Sequence, residues 1–238
     1  ENVAKDHRIV KHDLGNRLIN LDPNKIHINR YLPVIKKLLG NHFKLKSKRV
    51  LTLTYAVGGA GAQKEIGKEI IISLKKKIKQ HKIKLILISG TCIEVYQYFL
   101  KIVEDNNLHK EIGKYIILQN TLDKKVYFEE FNDYLRITDI LWSKPSEISF
   151  YSALGLPIIM APPIGYHEKL NKKWLMRIGS GIDQEDPKYC NEWLFEWIEK
   201  GILAEAAWEG YLEAPKYGTE NIEKIIFAKD KSKVKLKY

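Results

Sequence analysis

Residues 138–175 read TDILWSKPSEISFYSALGLPIIMAPPIGYHEKLNKKWL, and this stretch decides the fold. An apolar strand, Ile140–Trp142, runs into Ser143-Lys144-Pro145-Ser146-Glu147, where a capping serine and a proline in the first turn open a short helix. That helix stops at Gly155-Leu156-Pro157, and a second apolar strand, Ile158–Ala161, breaks into Pro162-Pro163-Ile164-Gly165. In open α/β sheets, ligands lie outside the carboxyl ends of the strands. The stretch supplies two such ends, a helix N-terminus with free N–H groups and a carboxylate in its first turn. It suits a polar ligand.

The same alternation extends outward on both sides. Val50–Tyr55, Lys84–Ser89 and Tyr115–Gln119 read as three earlier strands. Between them, Gln63–Gln80 places Ile66, Ile70, Ile71, Leu74 and Ile78 at helical spacing, and Ile93–Val103 and Phe128–Leu135 follow suit. Beyond Ile164 the pattern turns helical, over Glu168–Ile178, Asn191–Lys200, Ile202–Leu212 and Asn221–Phe227. Strands alternating with helices of this length predict a Rossmann-like α/β domain, a parallel sheet with helices on both faces. Residues 1–46 read as polar and irregular with one helix near Asn29–Leu39. The expected organisation is a basic N-terminal arm or remnant of a preceding domain over 1–46, the α/β domain over 47–228 and a basic tail over 229–238.

Charge follows that division. Of the formal +11, residues 1–50 carry 12 Lys and Arg against 4 acids, residues 229–238 carry 5 against 1, and the middle balances near zero. Basic ends fit an anionic membrane surface or an acidic partner. Arginine, the usual reader of bases and phosphates, occurs only six times, and no nucleic-acid signature accompanies it, so nucleic acid is not an expected partner. Cys92 and Cys190 stand far apart without metal or redox spacing, which suggests two reduced thiols in a cytoplasmic protein. No signal peptide is visible, and no apolar run approaches the ~20 residues of a spanning helix.

Three loops carry candidate chemistry. Gly58-Gly59-Ala60-Gly61-Ala62-Gln63 lies between the first strand and the first long helix, where glycines let the backbone approach a phosphate and the helix offers N–H groups. A P-loop would need Gly-Lys-Ser/Thr, and a dinucleotide fingerprint a third glycine and an acid ending the second strand. Position 64 is lysine and that strand ends Ser89-Gly90-Thr91, which disfavours NAD. An ordinary tight turn is the competing reading. In the second loop, Glu147 either caps the helix dipole or accepts from a ligand diol such as a ribose, with Ser146 beside it. In the third, Glu168 and Asn171 lie one turn apart after Gly165, so both side chains can reach one ligand, although Glu168 could equally cap its helix. His167 lacks partners at metal-ligand spacing, and no metal is expected. Trp193, Trp197, Trp208 and Tyr211 have the spacing of core residues.

Together these pieces resemble the nucleotide-sugar-binding C-terminal half of a GT-B glycosyltransferase, and are similar to the family of the UDP-N-acetylglucosamine transferase of peptidoglycan synthesis. That family's Gly-Gly-x-Gly loop is matched by Gly58-Gly59-Ala60-Gly61, its Gly-Leu-Pro by Gly155-Leu156-Pro157, and its Gln-x-x-Asn by Glu168-x-x-Asn171 with Glu for Gln. The likeness covers about residues 48–180. Two departures mark a divergent branch: the family's ribose-binding Glu falls on Phe150, with Glu147 one turn earlier, and Lys144-Pro145 replaces a glycine, which brings a lysine toward a phosphate.

The resemblance implies a UDP-sugar donor site and metal-independent glycosyl transfer in the full protein, without a resident cofactor. Gly58, Gly59, Ala60, Gly61, Ala62 and Gln63 would hold the pyrophosphate. Ser146, Glu147, Gly165, Glu168 and Asn171 would hold ribose and sugar. Gly90, Thr91, Gln119 and Asn120 would border the base. An N-terminal acceptor domain would supply the acceptor side, and no catalytic residue can be named. The alternatives are a sugar-nucleotide epimerase of the same fold and a non-catalytic nucleotide-binding or partner module. The expected location is cytoplasmic, with the basic ends able to rest on a membrane.

Overall fold

The structure, a computed structural model, describes residues 7–40, 43, 49–57, 61–146 and 148–228. Its centre is a six-stranded, wholly parallel sheet: β1 (Leu51–Ala56), β2 (Ile83–Ile88), β3 (Ile116–Gln119), β4 (Ile140–Ser143), β5 (Ile158–Met160) and β6 (Gly181–Asp183), in the order β3-β2-β1-β4-β5-β6. This is the Rossmann-like α/β architecture expected from the alternating pattern. The inner strands are near-continuous apolar runs, as a sheet covered on both faces requires, and Leu53, Leu85, Ile140 and Ile159 are fully buried.

Two helical layers flank the sheet. Tyr55 and Trp142, paired in register on β1 and β4, face α3 (Lys64–Lys79), α4 (Ile93–Asp105) and α8 (Cys190–Glu199). Trp142 meets Tyr55 edge-on at 6.2 Å and Trp193 of α8 at 5.2 Å, so the tryptophans belong to the core. The opposite layer holds α1 (His7–Leu21), α2 (Ile26–Leu39), α5 (Lys124–Ile137), α6 (Ile148–Ala153) and α9 (Ile202–Glu213). There Phe131 of α5 meets Tyr151 of α6 edge-on at 6.1 Å. α7 (Tyr166–Arg177) joins β5 to β6, and α10 (Gly218–Phe227) closes the described chain.

Two elements differ from the sequence expectation. Strand β6 has only Ile182 as an apolar residue and is held by backbone pairing to β5, so no apolar run announces it. Residues 7–21 were expected to be irregular and are helical. Val10, Leu14, Leu18 and Leu21 form a buried stripe, but Asp13 and Arg17 lie inside it and break its apolar signature. Residues 7–40 thus lie as two helices against the body.

Arg17 explains how α1 is seated. Its guanidinium, 1% exposed, donates to the carbonyls of Thr138 (2.9 Å), Leu154 (2.8 Å) and Gly155 (3.0 Å). Burial, assisted by Arg49, pulls its pKa from 12.5 to about 10, against the opposing pull of Asp139 and Asp13. Beside it the buried Asp139 accepts from Thr52 N and Asn20 Nδ2, both at 2.9 Å, and pairs with Arg49. Gly155 completes the contact with φ +70°. A Cβ there would lie 2.7 Å from Leu14 Cδ1 and 3.2 Å from the Ala207 carbonyl, so the Gly-Leu-Pro turn is glycine because α1 and α9 press against it.

Candidate functional site at the carboxyl ends of the strands

The strand order reverses between β1 and β4, the place where an open α/β sheet parts its loops into a crevice. Ala56 and Ser143, the last residues of those strands, are paired in register, and the Ser143 hydroxyl donates to the Ala56 carbonyl at 3.2 Å. The glycine-bearing loop and the loop leading to α6 therefore leave the sheet side by side. Ser143 ends its strand, and α6 begins at Ile148, which corrects the reading of Ser143 as a helix cap. Gly58, Gly59, Ala60 and Glu147 lie outside the described residues.

The described part of the first loop is held in a specific shape. Gly61 and Gln63 both adopt left-handed backbone, with φ +67° and +68°. A Cβ on Gly61 would lie 2.9 Å from Val95 Cγ2 and 3.5 Å from Cys92 Sγ, so glycine lets the loop press onto α4. The Tyr55 hydroxyl donates to the Gln63 carbonyl at 2.6 Å, and burial raises that phenol's pKa, with Glu65 adding to the effect. The Gln63 side chain does not cap α3. It spans the crevice instead, donating from Nε2 to the Pro162 carbonyl at 2.8 Å, while its buried Oε1 has no partner among the described residues. Loop one and the loop after β5 are thereby tied together above β4.

The third loop is stitched to the second. Glu168 Oε2 accepts from Ile164 N (2.6 Å) and Gly165 N (3.3 Å), and its Oε1 meets Lys144 Nζ at 3.1 Å. Burial opposes ionisation of this carboxyl, but the two amides and Lys144 outweigh it and hold its pKa below the ordinary 4.5. Asn171 Nδ2 donates to the carbonyls of Pro145 (3.0 Å) and Ser146 (2.9 Å). Glu168, expected to reach a sugar or to cap its helix, makes the capping contacts in this structure. Both oxygens are engaged, the residue is 3% exposed, and the capping reading holds. Lys144 is likewise engaged by Glu168. Glu168 and Asn171 shape the 144–146 segment from which Glu147 departs. Ser146 is exposed beside it, and Gly165 forms the N-cap of α7.

The ends of β2 and β3 form the far rim. The Gly90 carbonyl accepts from Thr121 N (3.2 Å) and Asn120 Nδ2 (3.1 Å), and Thr91 is exposed beside them. Gln119 departs from expectation: its side chain is 2% exposed and donates to Glu130 of α5 at 3.1 Å, so it turns into the packing under the rim. The pieces the sequence did not reveal are the Ser143–Ala56 bridge, the Gln63–Pro162 strut and the Lys144–Glu168 pair. A lysine and an acid 24 residues apart give no local signal; only the adjacency of β4 and β5 brings them together. Among the described residues no group of three or more His, Cys, Asp or Glu could hold a metal ion.

A model for a family described as Domain of unknown function (DUF6938) matches residues 41–133, under half of the chain. No curated protein matches. Among solved structures, MurG of Acinetobacter baumannii is similar over 76% of this chain and 50% of its own, with a TM-score of 0.50 and 18% identity. The chain thus spans half the length of that protein, and the likeness is one of fold.

Proposed function

We propose that this chain is the donor-binding half of a GT-B glycosyltransferase and that its crevice takes a UDP-linked sugar. The observation that supports this reading most is the pairing of Ala56 with Ser143 at the switch point, which starts the Gly58–Gln63 loop and the Glu147 loop from one rim. In this reading the backbone amides of residues 58–63 and the N-terminus of α3 meet the pyrophosphate, whose charge the helix dipole offsets. Glu147, with Ser146, accepts the ribose hydroxyls. Gly90, Thr91 and Asn120 border the base, with Gln119 supporting them from below. Gly165, Glu168 and Asn171 position the sugar-side loops without providing the contact themselves.

Oriented amides can bind a diphosphate without a metal, so the proposed transfer is metal-independent. The acceptor and the catalytic base would come from an acceptor domain outside this chain. Calorimetry with UDP, UDP-N-acetylglucosamine and NAD tests the assignment. Binding of both uridine nucleotides, no binding of NAD, and a loss of roughly tenfold or more in Glu147→Ala are expected. Tight NAD binding, or uridine binding indifferent to Glu147, would overturn it. No nucleotide binding at all would favour a non-catalytic partner module.

A further inference from the structure

Helix α7 packs on the body by one side. Leu175, fully buried, and the buried Glu168 mark that side, and Leu175 joins Ile148, Ile158 and Met160 in a small apolar cluster. The helical repeat puts Tyr166, Leu170, Lys173 and Arg177, at i, i+4, i+7 and i+11, on the opposite side. Tyr166 and Leu170 are 75% and 50% exposed, and Ile164, two residues before the helix, is 60% exposed. Lys173 and Arg177 are exposed as well, and so is Lys169 on the flank beside them.

The outward side of α7 carries three cations and no acid, although residues 51–228 as a whole carry about as many acids as bases. Lys169, Lys173 and Arg177 form no ion pair among the described residues. The other charges of the helix are engaged: Glu168 meets Lys144 at 3.1 Å, and Lys172 meets Asp183 at 2.7 Å. The side also has a direction. Ile164 and Tyr166 lie at the crevice end, Leu170 follows one turn on, and Lys173 and Arg177 occupy the far turns. Solvated lysines need no apolar neighbours, and an apolar protein contact needs no unpaired cations. The combination suits a partner that is anionic at its surface and apolar just beneath it.

We propose that the outward side of α7, together with Ile164, docks this chain on an anionic lipid bilayer. Ile164, Tyr166 and Leu170 enter the boundary between headgroups and acyl chains, where a tyrosine hydroxyl stays hydrated while its ring is buried. Lys169, Lys173 and Arg177 reach the acidic headgroups on their long stems. No described helix is long and apolar enough to cross a membrane, and α7 lies along the surface. Charge complementarity selects an acidic bilayer over a second copy of this chain, whose matching side is equally basic. A nucleic acid would neutralise the cations but leave Ile164 and Leu170 in water. This inference does not depend on what the crevice binds.

Co-sedimentation of the 238-residue chain with phosphatidylcholine vesicles, with and without phosphatidylglycerol, tests it. Pelleting with the anionic vesicles alone, weakened by high salt, is expected. The triple variant Ile164→Ser, Tyr166→Ser, Leu170→Ser and the triple variant Lys169→Gln, Lys173→Gln, Arg177→Gln should each weaken it by roughly tenfold. All six changes fall on exposed positions, and circular dichroism would verify that the fold is kept. Equal binding to neutral vesicles, no binding to either, or anionic binding unchanged in either variant overturns the proposal. So does a dimer in solution that the serine changes convert to monomer, or retention on immobilised single-stranded DNA that the glutamine changes abolish while vesicle binding persists.

Discussion

Ser143 donates its hydroxyl to the carbonyl of Ala56 across 3.2 Å, fastening the carboxyl ends of β4 and β1. One side-chain bond thus fixes the spacing of the two loops on which donor binding is proposed to depend. Ser143→Ala removes one partly buried hydrogen bond and should cost about 1 kcal/mol, read from urea unfolding. UDP affinity should fall by more than that loss of global stability explains. Equal affinity in the two proteins would show that the crevice does not use this rim.

Gly61→Ala tests the loop from the other side. A Cβ at φ +67° is strained and pushes on Val95, at a stability cost on the order of 1 kcal/mol. The expected result is a small drop in melting temperature and at least a tenfold loss of UDP affinity, measured by calorimetry. Unchanged affinity would count against an anion cradle at residues 58–63.

Glu168 makes the rim sensitive to acid. Its folded pKa lies below the ordinary 4.5, so the carboxylate adds stability that is fully present above the unfolded value and is lost as pH falls through the folded one. Glu168→Gln should therefore melt below the wild type at neutral pH, and the gap should close as pH drops below 4.5. A gap that does not change with pH would mean that the ionised carboxylate is not what holds Lys144, Ile164 and Gly165.

How much of this was legible in the sequence depended on what each residue had to satisfy. The runs IKLILI and LTLTYA announce buried parallel strands because both of their faces must be apolar. Gly61 and Gly155 were readable as turn positions because their left-handed backbone, φ +67° and +70°, favours glycine. Glu168 was ambiguous because an acid in a first turn serves a cap and a ligand equally well, and Ile164 N at 2.6 Å decides for the cap. Helix α1 was hidden because Asp13 and Arg17 sit within its buried face, with Arg136 and the Thr138 carbonyl, more than a hundred residues away, among their partners. Strand β6 was hidden because backbone pairing needs no particular side chain.

Arg17→Met should be the most damaging of these changes. It leaves the Thr138, Leu154 and Gly155 carbonyls without their donor and removes a counter-charge from Asp139, a loss on the order of 3 kcal/mol or more in chemical unfolding. Arg17→Lys should recover little, because one ammonium cannot span the carbonyls that a planar guanidinium reaches. Full stability in the lysine variant would contradict this role.

The reach of that guanidinium also sets a timetable. Its partners lie 121 to 138 positions later in the chain, so on the ribosome the first helix is made early and waits until Gly155 has emerged before it can lock. Until then Leu14, Leu18 and Leu21, buried in the finished core, have no settled neighbours. A slow closing step that fastens α1 last is the kinetic signature this design imposes.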